Sequence, residues 1–456
     1  MPRGKPRGIG FTGWAGACPQ ATIRRDSSGY AGLTMRIGYV IPEFPSQTHV
    51  WIWREILHTR EWGMDLRIFS TSKPGEKDRA RHGFAGEAER ETTYLWPRPR
   101  LRAIGTVAAQ ALRNPVGFFS CVKLALTMEK TKNRGKVRPL LPLIVPACIL
   151  ASEVRRAGIE RIHSHSVARS AVICMMVKRL TGVPYSLTLN ADLSWWGGAV
   201  ERKIAESNFT IAITQALLDE VRAKFRSIPE SRTLLGRIGV DTRRWARPID
   251  RPLPADGARR MRIVSVGRMH HNKAFDVLME ASRRLIDKGY ELEVRIIGDG
   301  GEREQLESLR RELGLEGAVS FLGSMSEDQI IDELLSADVF SAVSRHEPLG
   351  VVYMEAMSLG VPTLGTTSGG VGEIIDSGES GMLVDPGDPE KLARAIESLL
   401  TDAELCRRMG EAGRRAIVEK FDSRIGAATI FEKLTGGAAP LGAVSDHTPA
   451  KKAASA

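Results

Sequence analysis

Short apolar runs alternate with amphipathic segments along most of the 456-residue chain. In the first half, apolar runs at 36–41 and 65–70 flank a segment, 50–62, whose apolar residues recur at helical spacing. The second half repeats this alternation more regularly, from a strand at 262–266 to a helix at 402–420. Strands that alternate with helices in this way predict two α/β domains, each with a doubly wound, Rossmann-like parallel sheet.

Breaks in the alternation divide the chain into parts. Residues 1–34 and 436–456 show no period and are rich in small and basic residues, which predicts a disordered extension and a disordered tail. Residues 241–259 carry three prolines and many charges and are the expected linker. We therefore expect an N-terminal domain at 35–245 and a C-terminal domain at 246–435, whose last helix could cross back to the first domain.

The first half contains two stretches that the alternation does not explain. Residues 71–100 are polar and proline-rich and predict a long surface connection. Between Arg98 and Arg138, basic residues alternate with apolar ones, and 101–135 is predicted to be helical. This pattern is typical of an interfacial helix on anionic lipid and equally of a solvated basic face, so both interpretations stay open.

Charge and cysteine usage add two expectations. The formal net charge of +11 conceals a basic first half, with 40 Lys and Arg against 21 Asp and Glu in residues 1–250, and an acidic remainder. Five scattered cysteines without a Cys-x-x-Cys pair are typical of a reducing compartment, so we expect a cytoplasmic location, with peripheral attachment to the membrane as an option. The longest apolar run, 140–151, contains two prolines and is too short to span a bilayer.

Two glutamates flank the start of a predicted helix in the second half. Glu347 follows a strand at 339–343, and Glu355 lies about two turns into the helix at 349–359. Backbone N–H groups at a helix N-terminus suit a phosphate, and a carboxylate on the helix can accept hydrogen bonds from a ribose. Taken alone, however, two glutamates are more often solvated surface residues.

A second loop, at 266–274, also joins a strand to a helix and holds two cations. Gly267 permits a tight turn, and Arg268 and Lys273 stand five residues apart, where they can neutralise a leaving diphosphate without a metal. Ordinary surface cations are the alternative. The chain has no Asp-x-Asp pair and no Gly-x4-Gly-Lys-Ser/Thr motif, so neither a metal site nor a P-loop is expected.

Together these motifs resemble the family 4 glycosyltransferases of GT-B fold, in which two Rossmann-like domains face each other across a cleft. The resemblance extends from about 35 to 434 and is densest from 262 to 381. The strings that carry it are Val266–Lys273, Gly298-Asp299-Gly300, Glu347 with Glu355, Gly360-Val361-Pro362, Ser368–Glu373 and Gly381–Val384.

The resemblance implies roles for the donor side. Arg268 and Lys273 would bind the donor diphosphate, Glu355 would bind the ribose, and Glu347 would face the transferred sugar. The residues implied in donor binding are Gly267, Arg268, Lys273, Leu349, Gly350, Val351 and Glu355. The resemblance also implies retention of the donor's anomeric configuration, a UDP- or GDP-sugar as the substrate, and neither a metal nor a cofactor.

The N-terminal half matches the family less closely. Phe44–Thr48 resembles a motif of exopolysaccharide transferases, and Ile162–His165 resembles another. Where the family usually has a histidine near the sugar, this chain has Asn190, which can hydrogen-bond but cannot carry a proton. The implied residues on the acceptor or sugar side are Ser46, Gln47, Thr48, His163, His165 and Asp192, with Glu347 and Asn190 as the catalytic residues.

The function implied is sugar transfer from a nucleotide sugar to a glycan acceptor, lipid-linked, in extracellular polysaccharide synthesis. Asn190 keeps a second interpretation open, a catalytically impaired partner protein in a polysaccharide assembly complex. An epimerase or phosphorylase of the same fold is disfavoured by the Glu347 and Glu355 pair. Nucleic-acid binding rests on the basic first half alone, so no nucleic-acid partner is expected.

Overall fold

The computed structural model describes residues 35–75, 82–96, 99–128, 139–248 and 260–441, with four two-residue stretches at 24–25, 31–32, 132–133 and 136–137. Most of the expected N-terminal extension and C-terminal tail therefore lies outside the described residues, as do the later part of the expected linker and most of the basic segment after 128. Within the expected extension, Arg24–Arg25 pairs with Ala31–Gly32 in an antiparallel ladder.

The first domain is built on a seven-stranded parallel sheet. Its strands are β1 Arg36–Ile41, β2 Asp65–Ser70, β3 Thr92–Tyr94, β4 Arg161–Ser164, β5 Tyr185–Leu189, β6 Thr210–Ala212 and β7 Thr233–Leu235. Their order across the sheet is β7-β6-β5-β4-β1-β2-β3. Strand β5 is buried at every position because helices cover both faces, as is usual for parallel sheets.

The helices of this domain are α1 Val50–Glu61, α2 Ala85–Glu91, α3 Arg100–Arg113, α4 Pro115–Thr127, α5 Ile144–Ala157, α6 Arg169–Thr181, α7 Val200–Glu206 and α8 Gln215–Lys224. The expectation that 71–100 is only a connection is wrong, because α2 and the edge strand β3 lie within it. The helical stretch predicted at 101–135 is broken at Asn114, whose side chain accepts a hydrogen bond from Gly117 N at 2.8 Å and caps α4.

The second domain contains a six-stranded parallel sheet. Its strands are β8 Met261–Val266, β9 Leu292–Ile297, β10 Val319–Gly323, β11 Val339–Ser341, β12 Thr363–Thr366 and β13 Met382–Val384. The order β10-β9-β8-β11-β12-β13 is that of a dinucleotide-binding Rossmann sheet, with its switch point between β8 and β11. The helices are α9 Phe275–Asp287, α10 Arg303–Glu312, α11 Glu327–Leu335, α12 Val351–Ser358, α13 Pro389–Thr401 and α14 Ala403–Lys420.

The last helix, α15 Ser423–Thr435, returns to the first domain and packs on α1. Phe431 is 2% exposed and meets the Trp62 ring edge-on, with ring centroids 5.5 Å apart. The start of the expected linker is also packed: Trp245 is buried and donates a hydrogen bond from Nε1 to Glu327 Oε1 at 3.0 Å. Two chain segments therefore tie the domains together. No helix in the described part of the chain is long and apolar enough to cross a bilayer.

Replacing Phe431 with alanine should destabilise the protein by about 3–5 kcal/mol, because a buried aromatic ring is lost and the cavity collapses only in part. Urea unfolding followed by tryptophan fluorescence measures the change. The matched control is Leu441→Ala, at a residue that is 45% exposed, and it should stay within about 0.5 kcal/mol of the wild type. Equal unfolding midpoints for the Phe431 variant and the control would show that α15 does not hold the first domain.

Candidate functional site

The carboxyl ends of the two parallel sheets carry loops that meet between the domains. From the second domain come the loops after β8, β9, β11 and β12, and from the first come those after β1, β4 and β5. His346 Nε2 lies 2.7 Å from Asp192 Oδ2, which joins the loop after β11 to the loop after β5. Open α/β sheets bind their ligands at such ends, so this cleft is the candidate site.

Glu347 and Lys273, predicted from separate motifs, are in direct contact. The Lys273 ammonium donates a hydrogen bond to Glu347 Oε2, and Ser344 Oγ lies 3.4 Å from the same oxygen. Glu347 is buried, and it lies three residues before Gly350, the residue that directly precedes α12 and has a φ of 84°. A cation and a carboxylate thus stand together beside the N-terminus of a helix.

Arg345 fixes the two loops that carry this pair. Its backbone N donates to Asn272 O at 2.8 Å, and its guanidinium donates to Asp276 Oδ1 at 3.0 Å. Burial raises the pKa of Asp276, but the hydrogen bond and charge of Arg345 outweigh it and hold that pKa below its ordinary value. Arg345 was not predicted to have a role, because nothing in its local sequence pattern indicates a partner in the loop after β8.

Two glycines let the loops approach more closely than side chains would allow. A Cβ at Gly298 would lie 1.9 Å from Gly267 O, and one at Gly369 would lie 2.0 Å from Glu347 O. Both glycines also have positive φ values, 131° and 84°. The glycine-rich turns therefore position Gly267 and Glu347 through their backbones. Arg268, next to Gly267, is exposed.

Glu355 is not an open carboxylate. It is buried in α12, and its Oε1 accepts a hydrogen bond from Arg54 Nη2 of α1 at 3.1 Å. The same nitrogen lies 3.1 Å from Glu327 Oε1. Burial raises the pKa of Glu355 to about 7 against the lowering effect of Arg54. The resemblance implied that Glu355 binds a ribose, and in this structure a ribose would have to share it with Arg54 or displace Arg54.

The residues expected on the acceptor or sugar side divide into two groups. Ser46, Gln47 and Thr48 lie in the loop after β1, where Ser46 Oγ is 3.5 Å from Thr48 Oγ1. His82 contacts this loop, because the backbone carbonyl of Gln47 accepts a hydrogen bond from His82 Nε2 at 3.2 Å. Asn190 donates to the backbone oxygen of His165 at 3.2 Å, close in sequence to Asp192. These residues all lie at the carboxyl end of the first sheet.

The two histidines of the second group are buried in the sheet. His163, expected to contact a sugar or acceptor, is fully buried, and its ring nitrogens lie 2.8 Å from Ser186 Oγ and 2.9 Å from Thr188 Oγ1, so the structure does not bring it to the cleft surface. Burial holds its pKa well below the ordinary value, so the ring is neutral. His165 is also buried, with Nε2 2.9 Å from Glu55 Oε1. Its side chain has no exposed surface and therefore belongs to the interior of the first domain.

Glu373 makes a contact between the domains that the sequence analysis did not identify. Its two carboxylate oxygens accept hydrogen bonds from Gln215 N at 2.8 Å and Ala216 N at 2.9 Å, the first amides of α8. A carboxylate at a helix N-terminus is stabilised by the helix dipole and by unsatisfied N–H groups. Glu373, Arg54 and the Asp192–His346 pair therefore bridge the two domains at three places.

Comparison with known proteins identifies glycosyltransferases among the relatives of this chain. Residues 253–416 match the family model for glycosyl transferases group 1. A lipopolysaccharide core biosynthesis glycosyltransferase, LpsE of Rhizobium meliloti, is 36% identical over 184 residues, 40% of this chain and 50% of that protein. The putative glycosyltransferase EpsD of Bacillus subtilis is 33% identical over 216 residues, 45% and 55% of the two chains. The chain thus spans about half the length of these curated relatives.

Solved structures establish the fold over a longer stretch. The match to the crystal structure of HepE of Anabaena in complex with UDP covers 88% of this chain and all of the HepE chain. Its TM-score is 0.65 at 16% sequence identity. Sucrose-phosphate synthase of Thermosynechococcus elongatus gives a TM-score of 0.66 at the same identity, with coverages of 88% and 98%. The two Rossmann-like domains predicted from the sequence are confirmed as a GT-B fold.

The raised pKa of Glu355 predicts a pH-dependent stability. Between pH 4.5, its ordinary pKa, and about 7, the folded protein holds a proton that the unfolded chain releases, so stability falls as pH rises through this window. Glu355→Gln removes that titration. As pH rises across this window, the free energy of unfolding of the wild type should therefore fall by about 1–3 kcal/mol relative to that of Glu355→Gln. Urea unfolding at a series of pH values measures this difference.

The control for this experiment is Glu379→Gln, at an exposed glutamate of the same domain, which should follow the wild type at every pH. A constant difference between the wild type and Glu355→Gln across the window would contradict the raised pKa.

Proposed function

Because residues 253–416 match the family model for glycosyl transferases group 1 and the described chain has the GT-B fold, we propose that the protein is a glycosyltransferase. It moves a sugar from a nucleotide sugar to a glycan acceptor with retention of configuration and without a metal. The observation that supports this most directly is the contact between Lys273 and Glu347 beside the N-terminus of α12. A UDP-sugar is the first candidate donor, since the HepE structure contains UDP.

The donor's diphosphate would bind where positive charge is already concentrated. Lys273 contacts Glu347 just before α12, Arg268 is exposed in the same loop as Lys273, and the backbone N–H groups of Leu349, Gly350 and Val351 lie at the start of α12. As the glycosidic bond breaks, negative charge grows on the leaving diphosphate, and cations and amides placed in advance stabilise it without reorganisation. A diphosphate that attracts Lys273 would also weaken its bond to Glu347. The Glu347 carboxylate would then face the electron-poor sugar carbon.

Asn190 affects how protons move in this mechanism. An amide cannot accept the proton of the acceptor hydroxyl, whereas the leaving diphosphate oxygen gains charge and can. Asn190 would therefore orient the sugar by hydrogen bonding, near the Asp192–His346 bridge. The same residue supports the second candidate, a catalytically impaired partner of an assembly complex. Turnover distinguishes the two: nucleotide binding without transfer from any of a panel of UDP-, GDP- and ADP-sugars would favour the partner.

The acceptor is proposed from the relatives' names. LpsE is named for lipopolysaccharide core synthesis, and the GT-B structures include a lipopolysaccharide outer core galactosyltransferase, WaaB. Acceptors of that kind are glycans attached to lipid. A lipid-linked acceptor in the synthesis of an extracellular polysaccharide, with the enzyme at the cytoplasmic face of the membrane, is therefore the proposal.

Chelation tests the cation mechanism. With EDTA present, sugar transfer should stay nearly unchanged, whereas Lys273→Ala or Arg268→Ala should lower turnover by about 100-fold or more, as loss of a transition-state donor does. The matched control is Lys288→Ala. Lys288 is an exposed lysine directly after the C-terminal end of α9, and it forms an ion pair with Glu397. Activity that disappears with EDTA and returns with Mn²⁺ or Mg²⁺ would refute the metal-independent mechanism.

The two glutamates should separate binding from catalysis. Glu355→Gln should mainly weaken UDP binding, measured as a smaller thermal shift with UDP, because it changes the group expected at the ribose. Glu347→Gln should keep the UDP shift and lower turnover of the sugar nucleotide. If Glu347→Gln abolishes the UDP shift while Glu355→Gln preserves it, the two roles are assigned wrongly.

A further inference from the structure

The helices α3 and α4 present large apolar side chains to solvent. Six of these side chains are between 65% and 85% exposed: Leu101, Ile104, Leu112, Val116, Phe119 and Leu126. We call this set the apolar patch. Soluble proteins rarely expose so many large apolar groups on neighbouring turns unless the surface has a partner.

The spacing of the patch residues shows that they lie on one face of each helix. In α3 the outward positions 101, 104, 108 and 112 follow each other by three or four residues, as do 116, 119, 123 and 126 in α4. The opposite faces are buried, with Ala103 and Gln110 in α3 and Cys121 and Leu124 in α4. Both helices therefore carry one apolar face toward the core and a second toward solvent.

The hairpin of α3 and α4 is fixed to the domain, so the patch cannot turn inward. Asn114, at the corner, donates hydrogen bonds to the backbone oxygens of Arg179 at 3.2 Å and Leu180 at 3.1 Å. The buried Gln110 side chain accepts a hydrogen bond from Arg155. The outward face is thus a rigid platform, whose exposure follows from the fold.

The charged residues of α3 and α4 all have the same sign. From 100 to 127 the sequence contains Arg100, Arg102, Arg113 and Lys123 and no aspartate or glutamate. Arg102, Arg113 and Lys123 are exposed, and Lys123 lies within the outward face of α4. Long basic side chains can extend past apolar neighbours to reach anionic groups.

We propose that the apolar patch is a membrane-docking surface that inserts into the interface of a bilayer containing anionic lipid. Apolar side chains would enter the boundary between headgroups and acyl chains, while the three exposed cations contact lipid phosphates. This inference deepens the proposed function and rests on it for its purpose, because an enzyme with a lipid-linked acceptor must reach that acceptor at a membrane.

A bilayer fits the patch better than a protein partner does. A second copy of this chain would place the same cations against each other, since no acidic residue lies in either helix to pair with them. An anionic bilayer instead attracts all of these cations at once, and it accepts an apolar surface without needing a specific pocket for each side chain.

Sedimentation with lipid vesicles tests the proposal on the full-length protein. The wild type should sediment at low salt with vesicles of phosphatidylcholine and phosphatidylglycerol, and should be released as salt shortens the screening length below about 10 Å. The variant L112Q/F119Q should bind at least about tenfold more weakly, because two apolar side chains no longer gain from leaving water. The matched control, L57Q/L441Q, replaces two residues exposed elsewhere, at 46% and 45%, and should bind like the wild type.

A second variant tests charge without altering the apolar side chains. R102Q/R113Q/K123Q should weaken binding to the anionic vesicles by about fivefold per charge removed. No binding to anionic vesicles, or equal binding to vesicles of phosphatidylcholine alone, would overturn the proposal. So would a wild-type dimer that L112Q/F119Q converts to a monomer while vesicle binding is unchanged, because the patch would then join two copies.

The thermal shift with UDP, measured on the same samples, separates this inference from the proposed function. Vesicle binding without a UDP shift would contradict the proposed function and leave the docking surface in place. A UDP shift without vesicle binding would contradict the docking surface alone. A UDP shift preserved in L112Q/F119Q would show that this variant is folded and that its loss of binding is specific to the patch.

Discussion

Of the three contacts that bridge the two domains, the one made by Arg54 is the most deeply buried. Arg54 lies on α1 of the first domain and is 7% exposed. Its Nη2 atom lies 3.1 Å from an Oε1 atom of both Glu327 and Glu355 in the second domain. A buried guanidinium without its carboxylates would cost about 3–5 kcal/mol, so the domains are held where both carboxylates can reach it. Under the proposed function, the ribose competes for Glu355 with this same contact, which couples nucleotide binding to the contact between the domains.

The shape of the cleft depends on close contacts between backbone segments as well as on side-chain contacts. Gly298 and Gly369 allow neighbouring loops to lie against Gly267 and Glu347 at distances that a Cβ would forbid. Arg345 then ties the loop after β11 to the loop after β8, and the Lys273–Glu347 pair forms between them. The two glycines, Arg345 and the Lys273–Glu347 pair together fix the arrangement of the loops. The proposed chemistry depends on all of them, because a shift of either loop would separate the Lys273 ammonium from the Glu347 carboxylate.

The first domain uses its helices in two different ways. Helices α5 and α6 are buried along most of their length and supply much of the core. Helices α3 and α4 cover that core with one face and present apolar side chains on the other. The fold gains little stability from these outward residues, since they remain in water. Their occurrence on one basic, anchored platform is understandable if they are buried only when the protein meets a membrane.

The sequence by itself determined the alternation of strands and helices, and hence the two Rossmann-like domains, because that pattern is local. It also indicated Lys273 and Glu347, since each lies in a short motif between a strand and a helix. Only the tertiary structure decided that these two touch, that Arg54 engages Glu355 across 301 positions of sequence, and that His163 lies inside the sheet. Such contacts depend on how distant strands are ordered and on which face a side chain occupies, and neither is encoded in local spacing.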